Sequence, residues 1–152
     1  MPKVTRLVVA VIALTIGVGA QQKPNFSGRW VIVSPKEGAG REQIVTQTDK
    51  TLTTERVAAK GSERKMTYQL DGVERRLSMS SHGSEVVVLA KASWEADRLV
   101  IASIESYPNG MKTQTRDVWS LDAKGQLVVD SAETGPKGEK GPVTKIVYAR
   151  KR

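Results

Sequence analysis

After its first twenty residues, the chain alternates short segments rich in Val, Ile, Thr, Tyr and Trp with Gly, Pro, Asp and Asn. This pattern is typical of half-buried strands joined by tight turns in an antiparallel all-β domain. No clean helical period follows, so we expect no long helix. Because sequential strands usually pair, we predict an up-and-down antiparallel β-barrel of about 8–10 strands. The predicted strands lie near residues 28–34, 42–49, 51–58, 64–70, 74–81, 84–94, 98–107, 111–121, 126–133 and 143–150.

Several predicted strands carry apolar residues toward one end of a face and polar residues toward the other. Trp119, for example, shares a face with Asp117 and Thr115 because strand side chains alternate with a period of two. A sandwich needs an inner face that is apolar throughout, whereas a barrel with a packed bottom and a polar upper cavity gives this mixture. We therefore predict Tyr68, Trp119, Tyr148 and Asp117 as ligand-binding residues. The alternative is that the aromatic residues fill a core without a cavity.

The segment that opens the first strand has a distinctive order of residues. Phe26, Gly28 and Trp30 occupy alternate positions and share one face, where Gly28 allows a close approach and Trp30 supplies a large apolar surface. These residues suit a plug at the closed end of a barrel. If the first and last strands meet, Arg150 can stack on Trp30 as a cation–π pair. We therefore predict barrel closure by Phe26, Gly28, Trp30 and Arg150.

The pattern Phe26-x-Gly28-x-Trp30 resembles the opening of the calycins, which include the lipocalins and the fatty-acid-binding proteins. The resemblance implies a lipocalin-like barrel in which Trp30 closes the base and Arg150 packs over it. The segment is also similar to short secreted bacterial proteins that open with Asn-Phe-Ser-Gly-x-Trp. Two family features differ: Ser34 to Arg41 is a short loop in place of the helical lid, and Ile146 stands where the Arg-x-Tyr carboxylate clamp has Arg.

Residues 1–20 have the layout of a secretory signal peptide, with a basic start, an apolar middle and small residues at the cleavage point. The rival interpretation is a retained membrane anchor, for which the apolar run is short. We expect cleavage, a single β-barrel domain over residues 21–152 and no stable membrane span afterwards. The absence of Cys in a small exported domain favours a bacterial periplasm or exterior.

The chain is basic, with a formal net charge of +8, and a basic domain can attract nucleic acid or anionic polymers. Its cations, however, are scattered among acids, as in Glu63-Arg64-Lys65, and the one basic cluster is Arg150-Lys151-Arg152. A mixed, solvated surface is the interpretation we prefer. We therefore predict no nucleic-acid partner.

Signatures of catalysis are few. The single histidine, His82, lies beside Gly83 in a predicted turn, and no second His or Cys accompanies it to form a triad or a zinc site. Asp117 becomes a perturbed acid only if it is buried. The sequence thus predicts no metal, no cofactor and no enzyme.

The preferred interpretation is a secreted or periplasmic barrel that binds a small apolar or amphipathic molecule non-covalently. One alternative is an interaction module with a filled core that binds a protein or an envelope polymer. A less favoured one is a small calycin-like isomerase or hydrolase that uses Asp117 or His82. A cavity lined by Tyr68 and Trp119 favours the binder, a filled interior favours the module, and a buried acid facing a polar partner favours the enzyme.

Overall fold

The structure, a computed structural model, describes residues 22–57, 64–81 and 83–152. The predicted signal peptide and His82 lie outside these ranges. The described residues form ten strands and one short 3-10 helix, and no α-helix. The elements are β1 (Gly28–Ser34), the 3-10 helix (Lys36–Gly38), β2 (Glu42–Gln47), β3 (Thr51–Val57), β4 (Arg64–Gln69), β5 (Arg75–Ser81), β6 (Ser84–Glu95), β7 (Arg98–Ser106), β8 (Lys112–Leu121), β9 (Leu127–Thr134) and β10 (Thr144–Arg150).

The ten strands form a single antiparallel sheet that rolls into a nearly closed barrel. The order is β4-β3-β2-β1-β10-β9-β8-β7-β6-β5, so strands adjacent in sequence pair throughout, with one break, and the first strand pairs with the last. The break falls between β4 and β5, which form the two edges of the sheet. The up-and-down antiparallel barrel is confirmed, and no helical lid occurs among the described residues. The segment expected to replace the lid carries only the three-residue 3-10 helix.

The strands follow from the alternation of their residues. In β6, Val86, Val88 and Ala90 are buried, whereas Val87 and Leu89 between them are only partly covered. Short turns join several of the strands, and Gly110 in the turn before β8 has φ of +82°, a conformation that glycine adopts without steric cost. Local alternation and turn chemistry therefore specify the same meander.

Two clusters of buried residues hold the barrel together. The larger occupies the floor and comprises Phe26, Trp30, Val45, Leu52, Ala92, Leu99, Ile101, Trp119, Leu127, Val129 and Tyr148. The smaller comprises Met66, Met79, Val86, Val88 and Ala90. Because Met66 lies on β4 and Met79 on β5, side-chain packing joins the two edge strands that backbone hydrogen bonds leave apart.

Candidate functional site

A cavity of about 180 Å³ lies inside the barrel above its floor. Tyr68, Trp119, Tyr148 and Asp117, the four residues predicted to bind ligand, all line it. Pockets for drug-sized ligands measure roughly 300–1,000 Å³, so this one suits a smaller molecule or one part of a longer molecule. The interior is thus not filled, and the binding role of these four residues stays a prediction.

The floor below the cavity is a plug of aromatic rings. Phe26 stacks on Trp94, with ring centroids 5.9 Å apart and planes 10° apart. It also meets the edge of Trp119 at 5.8 Å and 72°. Phe26 and Trp30 are fully buried, and Trp30 Nε1 donates a hydrogen bond to the Phe26 carbonyl oxygen at 2.8 Å. The polar atom of Trp30 is therefore satisfied inside an otherwise apolar layer.

The seam between β1 and β10 brings the predicted closure residues together at this floor. Trp30 and Arg150 are register partners, and Arg150 Cζ lies 4.5 Å from the centroid of the Trp30 ring. Arg150 Nη1 also donates to the Ser27 carbonyl oxygen at 2.8 Å. At Gly28, where φ is +149°, an added Cβ would lie 2.5 Å from Arg150 Nη1, so a side chain there would disturb the guanidinium.

Asp117 supplies an acidic group inside the cavity. It is half-buried, and its Oδ1 accepts a hydrogen bond from Ser131 Oγ at 2.6 Å across the β8–β9 ladder. Burial raises the pKa of the Asp117 carboxyl above its usual range, while the Ser131 hydrogen bond opposes that rise. The carboxyl is therefore a hydrogen-bond acceptor held in a partly desolvated place.

Two tyrosine side chains share this region. Burial raises the pKa of Tyr68 to about 12, and the nearby charge of Asp117 contributes in the same direction. Burial also raises the pKa of Tyr148, again with a contribution from Asp117. Both phenols therefore keep their protons at neutral pH, and each can donate an O–H to a ligand.

Two buried N–H donors have no hydrogen-bond partner within the described part of the chain. They are Gln43 Nε2 and Trp119 Nε1, and both residues are only 6% exposed. Both residues line the cavity. A buried donor without a partner costs roughly 1–3 kcal/mol, so an acceptor atom on a bound molecule would relieve that cost.

The upper part of the cavity is polar and carries two cations. Arg56 on β3 and Arg64 on β4 are register partners, and both line the cavity. Glu105 lines it from β7 and accepts a hydrogen bond from Tyr107 Oη at 2.6 Å. The positive charge of Arg56 lowers the pKa of Asp117, although burial outweighs it, so the electrostatic influence of this arginine extends to the interior.

The cavity residues that the sequence did not predict include Gln43, Arg56, Arg64, Glu105 and Ser131. The signal that could have found them is the alternation within each strand. Gln43 is two residues from buried Val45, and Ser131 is two residues from buried Val129, so both pairs share inward faces. Because their side chains are polar, Gln43 and Ser131 suggested exposed positions, and the inward face that each shares with a buried valine was overlooked.

Residues 22–57, 64–81 and 83–152 contain no group of three His, Cys, Asp or Glu side chains placed to hold a metal ion. Within the same ranges, no helix has the length and apolar character needed to cross a membrane.

No family model and no curated protein matches this sequence. Solved structures do resemble it. The zebrafish ileal bile acid-binding protein, solved in complex with cholic acid, is 16% identical with a TM-score of 0.57, over 83% of this chain and 98% of that chain. A secretory abundant heat soluble (SAHS) protein from Ramazzottius varieornatus is 10% identical with a TM-score of 0.51, over 88% of this chain and 99% of that chain. At these identities the similarity shows the fold alone, a calycin-like β-barrel.

Proposed function

We propose that this protein binds a small, partly apolar molecule non-covalently inside its barrel and performs no catalysis. The observation that carries the proposal is the cavity itself, which has an apolar aromatic floor and a polar upper part. Burial of apolar surface would supply the affinity, and the tyrosine hydroxyls together with the two unpartnered N–H donors would orient the ligand. An unfilled interior also weighs against the interaction module with a filled core.

Two further considerations support the proposal. A protein of the same fold was solved with cholic acid, so the architecture can accommodate a small molecule. The basic, apolar and small-residue order of residues 1–20 supports export, and we therefore place the binder in a bacterial periplasm or outside the cell.

Native mass spectrometry of the protein purified from the organism that makes it tests this function. We expect a discrete bound small molecule in the wild-type protein. Ser103→Trp should abolish its binding because Ser103 lines the cavity. The matched control is Ser78→Trp, at an exposed position of β5. A clean unliganded mass that persists after incubation with lipids and hydrophobic metabolites contradicts the proposal.

One observation favours a second candidate, a small calycin-like isomerase or hydrolase. Asp117 lies in the cavity beside a polar partner, and burial raises the pKa of its carboxyl, as in many general acids and bases. If the co-purified molecule is a substrate, incubation with the wild-type protein converts it, whereas Asp117→Asn binds without conversion. An unchanged molecule after long incubation with wild type excludes turnover of that compound.

A further inference from the structure

The two sides of the cavity have opposite polarity. On the side formed by β2, β3 and β4, the residues Gln43, Arg56 and Arg64 form one cross-strand row, because Gln43 is the register partner of Arg56 and Arg56 that of Arg64. The row offers the amide N–H groups of Gln43 and the guanidinium N–H groups of the two arginines as hydrogen-bond donors, and both arginines are cationic. On the side formed by β7 and β8, Glu105 and Asp117 supply carboxylates. The cavity therefore presents a donor row opposite an acceptor wall.

The two arginines of the row have no anionic partner within the described ranges. No carboxylate oxygen there lies within 4.0 Å of either guanidinium. The carboxylates across the cavity accept hydrogen bonds from hydroxyl groups, Glu105 from Tyr107 and Asp117 from Ser131, each at 2.6 Å. Two like charges directly opposite each other on neighbouring strands repel, so the row costs stability in the absence of an anion.

Gln43 provides the second, independent observation. Its side chain is buried, lines the cavity and has no hydrogen-bond partner for Nε2 in the part of the chain that the structure describes. Its other cross-strand neighbour is Trp30, whose ring can accept no conventional hydrogen bond. Register partners have Cβ atoms about 4.5–5.5 Å apart, so one small anion over Arg56 can contact Gln43 on one side and Arg64 on the other.

We propose that the cavity selects molecules that carry a carboxylate, which binds to the Gln43–Arg56–Arg64 row while the apolar remainder lies over the floor. This inference rests on the proposed binding function. The planar guanidinium matches the two oxygens of a carboxylate, and the amide of Gln43 can donate to either of them. A group with a double negative charge, such as a phosphate, is disfavoured because Glu105 and Asp117 face the row from the other side of the cavity.

The test compares octanoate with 1-octanol, two probes that share a short alkyl chain and differ in charge. Binding is followed by NMR titration of the Trp119 indole N–H, which lies in the cavity and is assigned with Trp119→Phe. We expect wild type to bind octanoate more tightly than 1-octanol. Arg56→Gln and Arg64→Gln should each weaken octanoate binding about tenfold and leave 1-octanol binding unchanged.

The matched control is Arg76→Gln, which removes the same charge from an exposed position of β5 and should leave both affinities unchanged. Equal affinity of wild type for the two probes, or no effect of the two row variants on octanoate, overturns the carboxylate inference while 1-octanol binding upholds the cavity as a binding site. If neither probe shifts the Trp119 resonance, the inference and the binding function fail together for ligands of this size.

Discussion

The floor and the upper part of the cavity belong to the same ten strands, yet their polar groups differ in whether they have partners within the barrel. At the floor, the Trp30 indole donates to a carbonyl, and the Arg150 guanidinium has both a ring and a carbonyl as partners. In the upper part, the Gln43 amide has a donor without a partner, and Arg56 stands opposite a second cation. The polar groups of Trp30 and Arg150 at the base of the floor have partners within the barrel, whereas Gln43 and Trp119, which line the cavity, keep N–H donors that a bound molecule could satisfy. Buried polar groups that lack hydrogen-bond partners are expected at functional sites when the rest of the fold satisfies its polar groups.

The largest expected effect comes from the floor. Trp30→Ala removes a fully buried ring from the aromatic plug and should lower the free energy of unfolding by about 4 kcal/mol. Met79→Ala, at a residue that is 7% exposed beside the open β4–β5 edge, should cost only about 2 kcal/mol because that site can collapse more easily. Urea denaturation followed by circular dichroism measures both. Equal losses would show that stability is spread evenly between the two regions.

The second prediction concerns the seam that closes the floor. Arg150→Met keeps the length of the side chain but removes the charge above Trp30 and the hydrogen bond to Ser27, so it should cost about 1.5 kcal/mol. The control is Arg76→Met, at an exposed outer position, for which we expect a change near zero. The same denaturation curves compare the two variants. No difference between them would mean that the cation–π pair contributes nothing to closure.

The third prediction concerns the upper part of the cavity and has the opposite sign. Gln43→Met replaces a buried amide whose Nε2 has no partner in the described part of the chain with an apolar chain of similar length, and should raise the free energy of unfolding by about 1 kcal/mol. The same variant should weaken octanoate binding in the NMR titration. A loss of stability with unchanged binding would instead identify Gln43 as a structural residue of the barrel wall.

The contrast between the two regions also explains what sequence reasoning could reach. The barrel was predictable because strand alternation and turn residues such as Asn109-Gly110 act locally, and the first strand carries the motif that ends in Trp30. Trp119 and Asp117 could be predicted as cavity residues for the same reason, since they share one face of one strand.

The donor row was not predictable in the same way. Its three members lie on three strands, and only the register, which pairs Gln43 with Arg56 and Arg56 with Arg64, brings them side by side. A shift of the register by one residue would turn each of them to the outer surface. The sequence contains the residues, but their proximity depends on pairings that are not local.

The smallest expected effect concerns the carboxyl inside the cavity. Burial raises the pKa of Asp117 in the folded state above its value in the unfolded chain, so the folded protein holds this proton more tightly. Folding then loses stability as the pH rises through the folded-state pKa, and the loss is absent where the carboxyl is protonated in both states. Asp117→Asn should therefore stabilise the protein by about 0.5 kcal/mol near neutral pH and have no effect near pH 3. The carboxamide oxygen of the variant can still accept the hydrogen bond from Ser131. Denaturation midpoints at the two pH values measure this, with Asp130→Asn on the adjacent strand as the control. An equal stabilisation at both pH values would mean that the variant acts through packing and that the charge of the Asp117 carboxylate does not destabilise the folded state.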